Sequence, residues 1–375
     1  MFNDIESIRK GFRNLNEDNY SNQFEFEKAR EIGLCLLGRA ERMLKEQIPK
    51  GRFEWVDDSY GSPEDIIQQA KDILKQLKDN RIPYEGRFAE LGGTVIDHAL
   101  IEKDGVHHLF YIRGKAVTTW AECQTNNFGH AVSTDLIHWE VKEPVLQTKE
   151  GEWDEYQVWA PHVIYHEGEY WMFYTGVNNN VAQAIGLAKS KDLYNWERHE
   201  NNPVITPGKW AIWNKDTWSD GRDPCILKDG DTFYAYYCAH MYSEEYKRNI
   251  YAIGVASSQN LYDWKDEGYF VLKESINTPP ESPFVVKKDN KYYLFYTDYK
   301  AGTVFAVSDK PTTGFVDADP GIRTIIPSVS ASEIYFSKGK WYISYISHEP
   351  NQLHFFEIKE LVWNADGSFS TKTIE

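Results

Sequence analysis

Apolar and polar positions along this chain change period near residue 90. Upstream they recur at helical spacing. Phe26, Ala29, Ile32, Leu36, Leu37 and Met43 fall close to every third or fourth position and predict a helix over residues 24–47. A second helix is better marked. Ser62 is placed to cap it and Pro63 suits its first position. Ile66, Ile67, Ala70, Ile73, Leu74 and Leu77 form one stripe, and the run 80–83 ends it at Pro83. From Gly92-Gly93 onward the pattern is short apolar runs broken by Gly, Asp and Asn, which predicts strands and turns to the end of the chain.

The strand region repeats itself. Residues 97–111, 159–174, 219–238, 281–296 and 332–345 each read as a strand, a tight turn and an aromatic-rich return strand, at intervals of about 50 to 65 residues. Asp229-Gly230 is the turn expected in the third copy. Three copies carry a matching second half at 129–139, 185–196 and 253–264, each a strand, a Ser/Asp turn and a Trp able to pack between neighbouring sheets. Hairpin plus two outer strands is one blade of a four-stranded sheet. The predicted fold is all-β, a five-bladed β-propeller over residues 89–375, with an N-terminal α-helical extension over residues 1–88.

Composition narrows the partners. A net charge of −16 and a pI near 5.2 repel a phosphate backbone, so no nucleic acid is expected. No apolar run approaches the roughly 20 residues that span a bilayer, so no membrane partner is expected. The first residues lack the apolar core of a signal peptide, and Cys35, Cys123, Cys225 and Cys238 show no zinc spacing. A reducing, cytoplasmic setting is the expectation, with Cys225 and Cys238 as buried free thiols on one hairpin. The 13 Trp and 24 Tyr exceed what a plain core needs. Most belong between blades. Those in the long connections 113–128, 143–158, 201–221 and 240–249 (Trp120, Trp153, Trp210, Trp213 and Trp218) are candidate walls for a sugar.

Propeller geometry brings the starts of the first strands together at one axis. There the chain places Asp97, His162, Asp223, Glu281 and Glu333. Carboxylates held close push their pKa values apart, leaving one group protonated as acid and another ionised as base or nucleophile. That separation suits hydrolysis of a glycosidic bond. Each taken singly, these carboxylates would equally serve as turn caps or Arg partners.

Residues 97–111 and 128–139 resemble the opening blade of glycoside hydrolase family 32, the invertase and fructanase group. Arg222-Asp223-Pro224 is similar to that family's Arg-Asp-Pro motif. Glu281-Ser282-Pro283 lies where family 32 has Glu-Cys-Pro and family 43, the arabinanase and xylosidase group, has Glu-Gly-Pro. Trp159-Ala160-Pro161 resembles family 43. The resemblance covers about residues 92–360. It implies Asp97 as nucleophile (family 32) or general base (family 43), Asp223 as the carboxylate that holds sugar hydroxyls, Glu281 as general acid, and Arg222 on the innermost sugar.

The chain also departs from both patterns. Only Asp97 remains of family 32's Asn-Asp-Pro-Asn-Gly, His162 stands where family 43 usually has Asp, and the C-terminal β-sandwich typical of family 32 is not expected within these 375 residues. The expected activity is a divergent glycosidase that removes a terminal fructofuranoside, arabinofuranoside or xyloside unit from a small oligosaccharide. His162, Trp159, Trp120 and Trp218 are the further substrate-binding candidates. No cofactor or metal is called for, although family 43 resemblance admits an axial calcium. The N-terminal helices offer a route to an oligomer. A transferase or phosphorylase on the same scaffold, or a glycan-binding propeller without chemistry, are the alternatives.

Overall fold

The computed structural model describes residues 1–46, 61–116 and 123–374. The chain folds as two compact units. One comprises residues 1–95, 113–124 and 348–356, the other residues 96–112, 125–347 and 357–375.

The first unit is helical. Its helices are α1 (Phe2–Arg13), α2 (Gln23–Leu44) and α3 (Pro63–Lys78). Ser62 and Asp65 form the expected capping box at the start of α3. Helix α1 was not foreseen, because only Ile5, Ile8 and Phe12 face its core. Gly33 of α2 makes room for it: a Cβ there would lie 2.2 Å from the Phe12 ring. Gln69 of α3 donates to the Pro350 carbonyl at 3.3 Å, and Asn351 accepts the Gly61 N–H at 3.1 Å, so the segment 348–356 is stitched to α3. Buried Lys28 donates to the carbonyls of Tyr84 and Arg87 and pairs with Glu25 at 2.5 Å. Among the described residues no helix is long and apolar enough to cross a membrane.

The second unit is a five-bladed β-propeller, each blade a sheet of sequential antiparallel strands. Blade 1 has β1 (Gly93–Lys103), β2 (Val106–Lys115), β3 (Phe128–Ser133) and β4 (Glu140–Val145). Blade 2 has β5 (Gln157–His166), β6 (Glu169–Val177), β7 (Gln183–Ser190) and β8 (Glu197–Arg198). Blade 3 has β9 (Gly221–Asp229), β10 (Thr232–Ser243), β11 (Arg248–Ser258) and β12 (Lys265–Phe270). Blade 4 has β13 (Glu281–Lys288), β14 (Lys291–Asp298), β15 (Gly302–Ser308) and β16 (Val316–Asp317), with β17 (Thr324–Ile326) also pairing β15. Blade 5 has β18 (Val329–Ser337), β19 (Lys340–Glu349), β20 (Leu353–Trp363) and β21 (Phe369–Lys372). The third hairpin turns at Gly230-Asp231, one residue later than expected, because Asp229 pairs with Thr232. Residues 240–249, expected as a loop, are mostly the extended β10–β11 hairpin.

The repeated second halves have one local cause. Ser133, Ser190 and Ser258 each accept backbone N–H groups from two and three residues on, and Asp135, Asp192 and Asn260 do the same for the next pair. The turn pins Leu136, Leu193 and Leu261 at positive φ (67°, 73° and 65°) with their side chains buried. The Trp that follows packs on the preceding blade: Trp196 on Phe110 at 5.5 Å and Trp264 on Phe173 at 5.7 Å. Blades 5 and 1 close the ring with side chains, His98 to Ser344 at 2.7 Å and His107 to Tyr335 at 2.7 Å.

A candidate carbohydrate active site on the propeller axis

Four blades open with the same bulge. In β5 the pairing with β6 skips from Trp159 to His162, in β9 from Arg222 to Cys225, in β13 from Glu281 to Phe284, and in β18 from Ser330 to Glu333. The first skipped residue has positive φ in every case: Ala160 42°, Asp223 61°, Ser282 49° and Ala331 51°. The second is Pro161, Pro224, Pro283 or Ser332, whose missing or spare N–H suits an unpaired bulge position. Asp97 precedes its hairpin turn at Asp104 by the interval that separates each of these residues from its own turn. The axial set is therefore Asp97, Ala160, Asp223, Ser282 and Ala331.

The expectation that Asp97, His162, Asp223, Glu281 and Glu333 share one register needs correction. Only Asp97 and Asp223 do. Glu281 lies one residue outward, in register with Arg222, while His162 and Glu333 lie on the far side of the bulge. His162 is buried, Glu333 is largely covered, and the two face each other, Nδ1 to Oε1 at 3.9 Å; Glu333 Oε2 accepts the Leu100 N–H at 3.3 Å. Burial raises the Glu333 carboxyl above its ordinary range.

Asp97, Asp223, Ser282, Pro283 and Glu333 line one depression. Ser282 links its two aspartates. Its N–H donates to Asp223 Oδ2 at 3.1 Å and its hydroxyl to Asp97 Oδ2 at 3.4 Å. Arg222, its side chain largely covered, donates Nη2 to Glu281 Oε1 at 2.7 Å and Nη1 to Asp220, and its Nε is 3.6 Å from Asp223. Asp220 also accepts from His240, whose ring lies tilted by 41° against that of Tyr251, centroids 3.9 Å apart. Tyr299 donates its hydroxyl to Glu281 Oε2. Ser282, Asp220, His240 and Tyr299 escaped the sequence reading. The Pro that follows Asp223 and Ser282 was the one available signal for the shared bulge.

Electrostatics separates the carboxylates. Burial raises the Asp97 carboxyl well above its ordinary range, and the charges of Asp223 and Glu281 raise it further. Burial also pushes Asp223 up to about 7, against the pull of Arg222. Asp220 is pushed up by burial too, yet Arg222 and His240 outweigh this and hold it low. The site can keep one carboxyl protonated and another ionised near neutral pH, as acid–base chemistry on an acetal requires.

The remaining candidates are tryptophans. Trp159 is buried and donates its indole N–H to Gln157 at 2.8 Å and Thr125 at 3.2 Å. Trp218 is partly exposed on the connection before β9. Trp120 lies outside the described residues. Trp153 fills the space over Gly176 and Gly186, Trp210 donates to Asp266 at 3.1 Å, and Trp213 donates to the Gln183 carbonyl at 2.7 Å. None of the four cysteines forms a disulfide among the described residues, and Cys225 and Cys238 are buried thiols as expected. Among the described residues no three His, Cys, Asp or Glu side chains are grouped to hold a metal ion.

A family-wide profile described as "Glycosyl hydrolases family 32 N-terminal domain" matches residues 98–310, a span that contains Arg222, Asp223 and Glu281 and begins one residue after Asp97. Acid beta-fructofuranosidase 1, vacuolar, of Rosa hybrid cultivar is 33% identical over 132 residues, 34% of this chain and 21% of that protein. Xylosidase/arabinosidase of Bacteroides ovatus is 23% identical over 273 residues, 63% of this chain and 80% of that protein. Fructan 1-exohydrolase IIa from Cichorium intybus superposes with a TM-score of 0.63 at 18% identity, covering 77% of this chain and 60% of the other. The matched region spans about a fifth of the length of the first curated relatives.

Proposed function

This chain belongs to glycosyl hydrolase family 32, and from that premise we propose that it hydrolyses the glycosidic bond of a terminal fructofuranosyl unit in a small oligosaccharide. The observation that carries the reading is the arrangement of Asp97 and Asp223 in one register, bridged by Ser282, with Glu281 one residue outward on Arg222.

In this reading Glu281 protonates the leaving oxygen as the C–O bond breaks. Asp97, when ionised, attacks the anomeric carbon, and a water then releases the sugar with Glu281 acting in reverse as base. Asp223 and Arg222 bind ring hydroxyls. Sugar hydroxyls that donate to Asp223 also favour its ionised form, which couples substrate binding to the charge state of the cluster. A terminal arabinofuranoside or xyloside is the second reading. It is favoured by the alignment with the Bacteroides ovatus protein, which covers more of this chain than the rose enzyme does.

Proton NMR of sucrose, a fructo-oligosaccharide, and nitrophenyl arabinofuranoside and xyloside tests the proposal, with wild type and Asp97→Asn followed from the first minutes. Cleavage of the fructosides that disappears in Asp97→Asn supports it. Cleavage of the pentosides alone moves the assignment to the second reading, and cleavage unaffected by Asp97→Asn overturns the role of Asp97.

A further inference from the structure

Both oxygens of the Glu281 carboxylate are engaged. Oε1 accepts from Arg222, whose side chain is 11% exposed and also bonded to Asp220, so that partner is held between two carboxylates. Oε2 accepts from the Tyr299 hydroxyl. An acid that serves a leaving group must present one oxygen toward it. Oε1 is committed to this guanidinium, which leaves Oε2 as the atom that carries the proton outward.

Tyr299 is built to give way at this point. Its root is fixed: Asp298 pairs with Arg323 at 2.8 Å and accepts the N–H groups of Lys300 and Ala301 at 2.9 and 3.3 Å, which sets the turn between β14 and β15. Its ring is not. Tyr299 is 60% exposed, and among the described residues its one hydrogen bond is the one to Glu281. The Glu281 side chain is 24% exposed, and the partner of its Oε2 is this exposed ring. A protonated Oε2 has a single O–H to direct, so it serves either the tyrosine or the glycosidic oxygen.

We propose that Tyr299 is a positioning residue on the leaving-group side, whose hydroxyl holds Glu281 Oε2 in place and yields that place to the glycosidic oxygen of a sugar leaving group. This rests on the assignment of Glu281 as the acid. The proton passes from Glu281 to the leaving oxygen while the C–O bond breaks, and Tyr299 keeps its own proton throughout. Once displaced, the ring lies against the departing sugar, where its face offers a flat apolar surface and its hydroxyl a donor. Tyr299 therefore discriminates between sugar leaving groups, which need protonation and positioning, and nitrophenolate, which needs neither.

The test compares wild type, Tyr299→Phe and Glu281→Gln on two substrates with the same glycone, one carrying a sugar and one a nitrophenol as leaving group. Tyr299→Phe removes one exposed oxygen, so a melting temperature equal to that of wild type is expected. The expected kinetic result is a loss of roughly 10-fold in kcat with the sugar leaving group and less than about 2-fold with nitrophenol. A purely structural role would slow both substrates alike. Equal loss on both, or no loss on either, overturns the proposal. Glu281→Gln separates the two levels. If it shows leaving-group dependence while Tyr299→Phe does not, only the role of Tyr299 falls. If Glu281→Gln turns over both substrates like wild type, the acid assignment falls and the role of Tyr299 with it.

Discussion

Ser282 donates its backbone N–H to Asp223 Oδ2 across 3.1 Å, a bond that its counterparts in other blades make to threonine. The bulge N–H of Asp223 goes to Thr175 Oγ1 of the preceding blade, and that of Ala331 to Thr297 Oγ1, both at 2.9 Å. Those threonines pair with Trp159 and Glu281, the last residues before their bulges. In blade 3 the corresponding partner of Arg222 is Cys238. A thiol is a weak acceptor, and the N–H of Ser282 turns to the carboxylate instead.

Cys238→Thr is the direct check on this relationship. Restoring the hydroxyl offers Ser282 the acceptor used elsewhere in the ring and releases Asp223. A hydrogen bond to a charged group contributes about 1.5–3 kcal/mol, so kcat/KM is expected to fall at least roughly 10-fold while thermal stability holds or rises. Unchanged activity with lowered stability would count against it.

The raised Asp223 carboxyl makes stability fall with pH in a defined window. Folded Asp223 binds its proton up to about 7, whereas an unfolded aspartate releases it near about 3.9. The stability this contributes is complete below the ordinary carboxylate range and is lost as pH rises through about 7. Asp223→Asn has no proton to lose. Its melting temperature relative to wild type is therefore expected to climb between pH 5 and pH 8, and a constant difference across that range would contradict the assignment. The same variant removes a negative charge beside Asp97, so the acidic limb of any residual activity is expected to move to lower pH.

Glycines within the third strands lie against aromatic rings from the second strands. Tyr111 pairs with Gly129, Tyr174 with Gly186 and Tyr237 with Gly254. A Cβ on Gly254 would lie 2.4 Å from the Tyr237 ring, and one on Gly129 2.2 Å from that of Tyr111. Gly254→Ala is expected to destabilise the fold by about 1–3 kcal/mol, as other overpacked cores do. Denaturant unfolding measures this directly, and a variant as stable as wild type would show that the ring moves aside without strain.

The blade count, the hairpins and the Ser/Asp turns were legible because each is a local pattern repeated several times over. Asp97, Asp223, Glu281 and Arg222 were legible through short motifs. Their register was not, since Arg222-Asp223-Pro224 and Glu281-Ser282-Pro283 look alike while placing their carboxylates one residue apart. Tyr299 and His240 reach the site from just past and near the ends of second strands, where nothing in the local sequence marks a partner on β13 or just before β9. Helix α1 shows the same limit, because three buried apolar positions in twelve are too few to announce a buried face.

The central claim is that Glu281 protonates the leaving oxygen in a site organised by Asp97 and Asp223. The most direct measurement is the rate of Glu281→Gln on a sugar leaving group and on nitrophenol attached to the same glycone. Positioned acid catalysis contributes about 10²–10⁴-fold, so turnover with the sugar leaving group is expected to fall by that factor while nitrophenol release stays within about 10-fold of wild type. Equal turnover by wild type and variant with the sugar leaving group would contradict the claim.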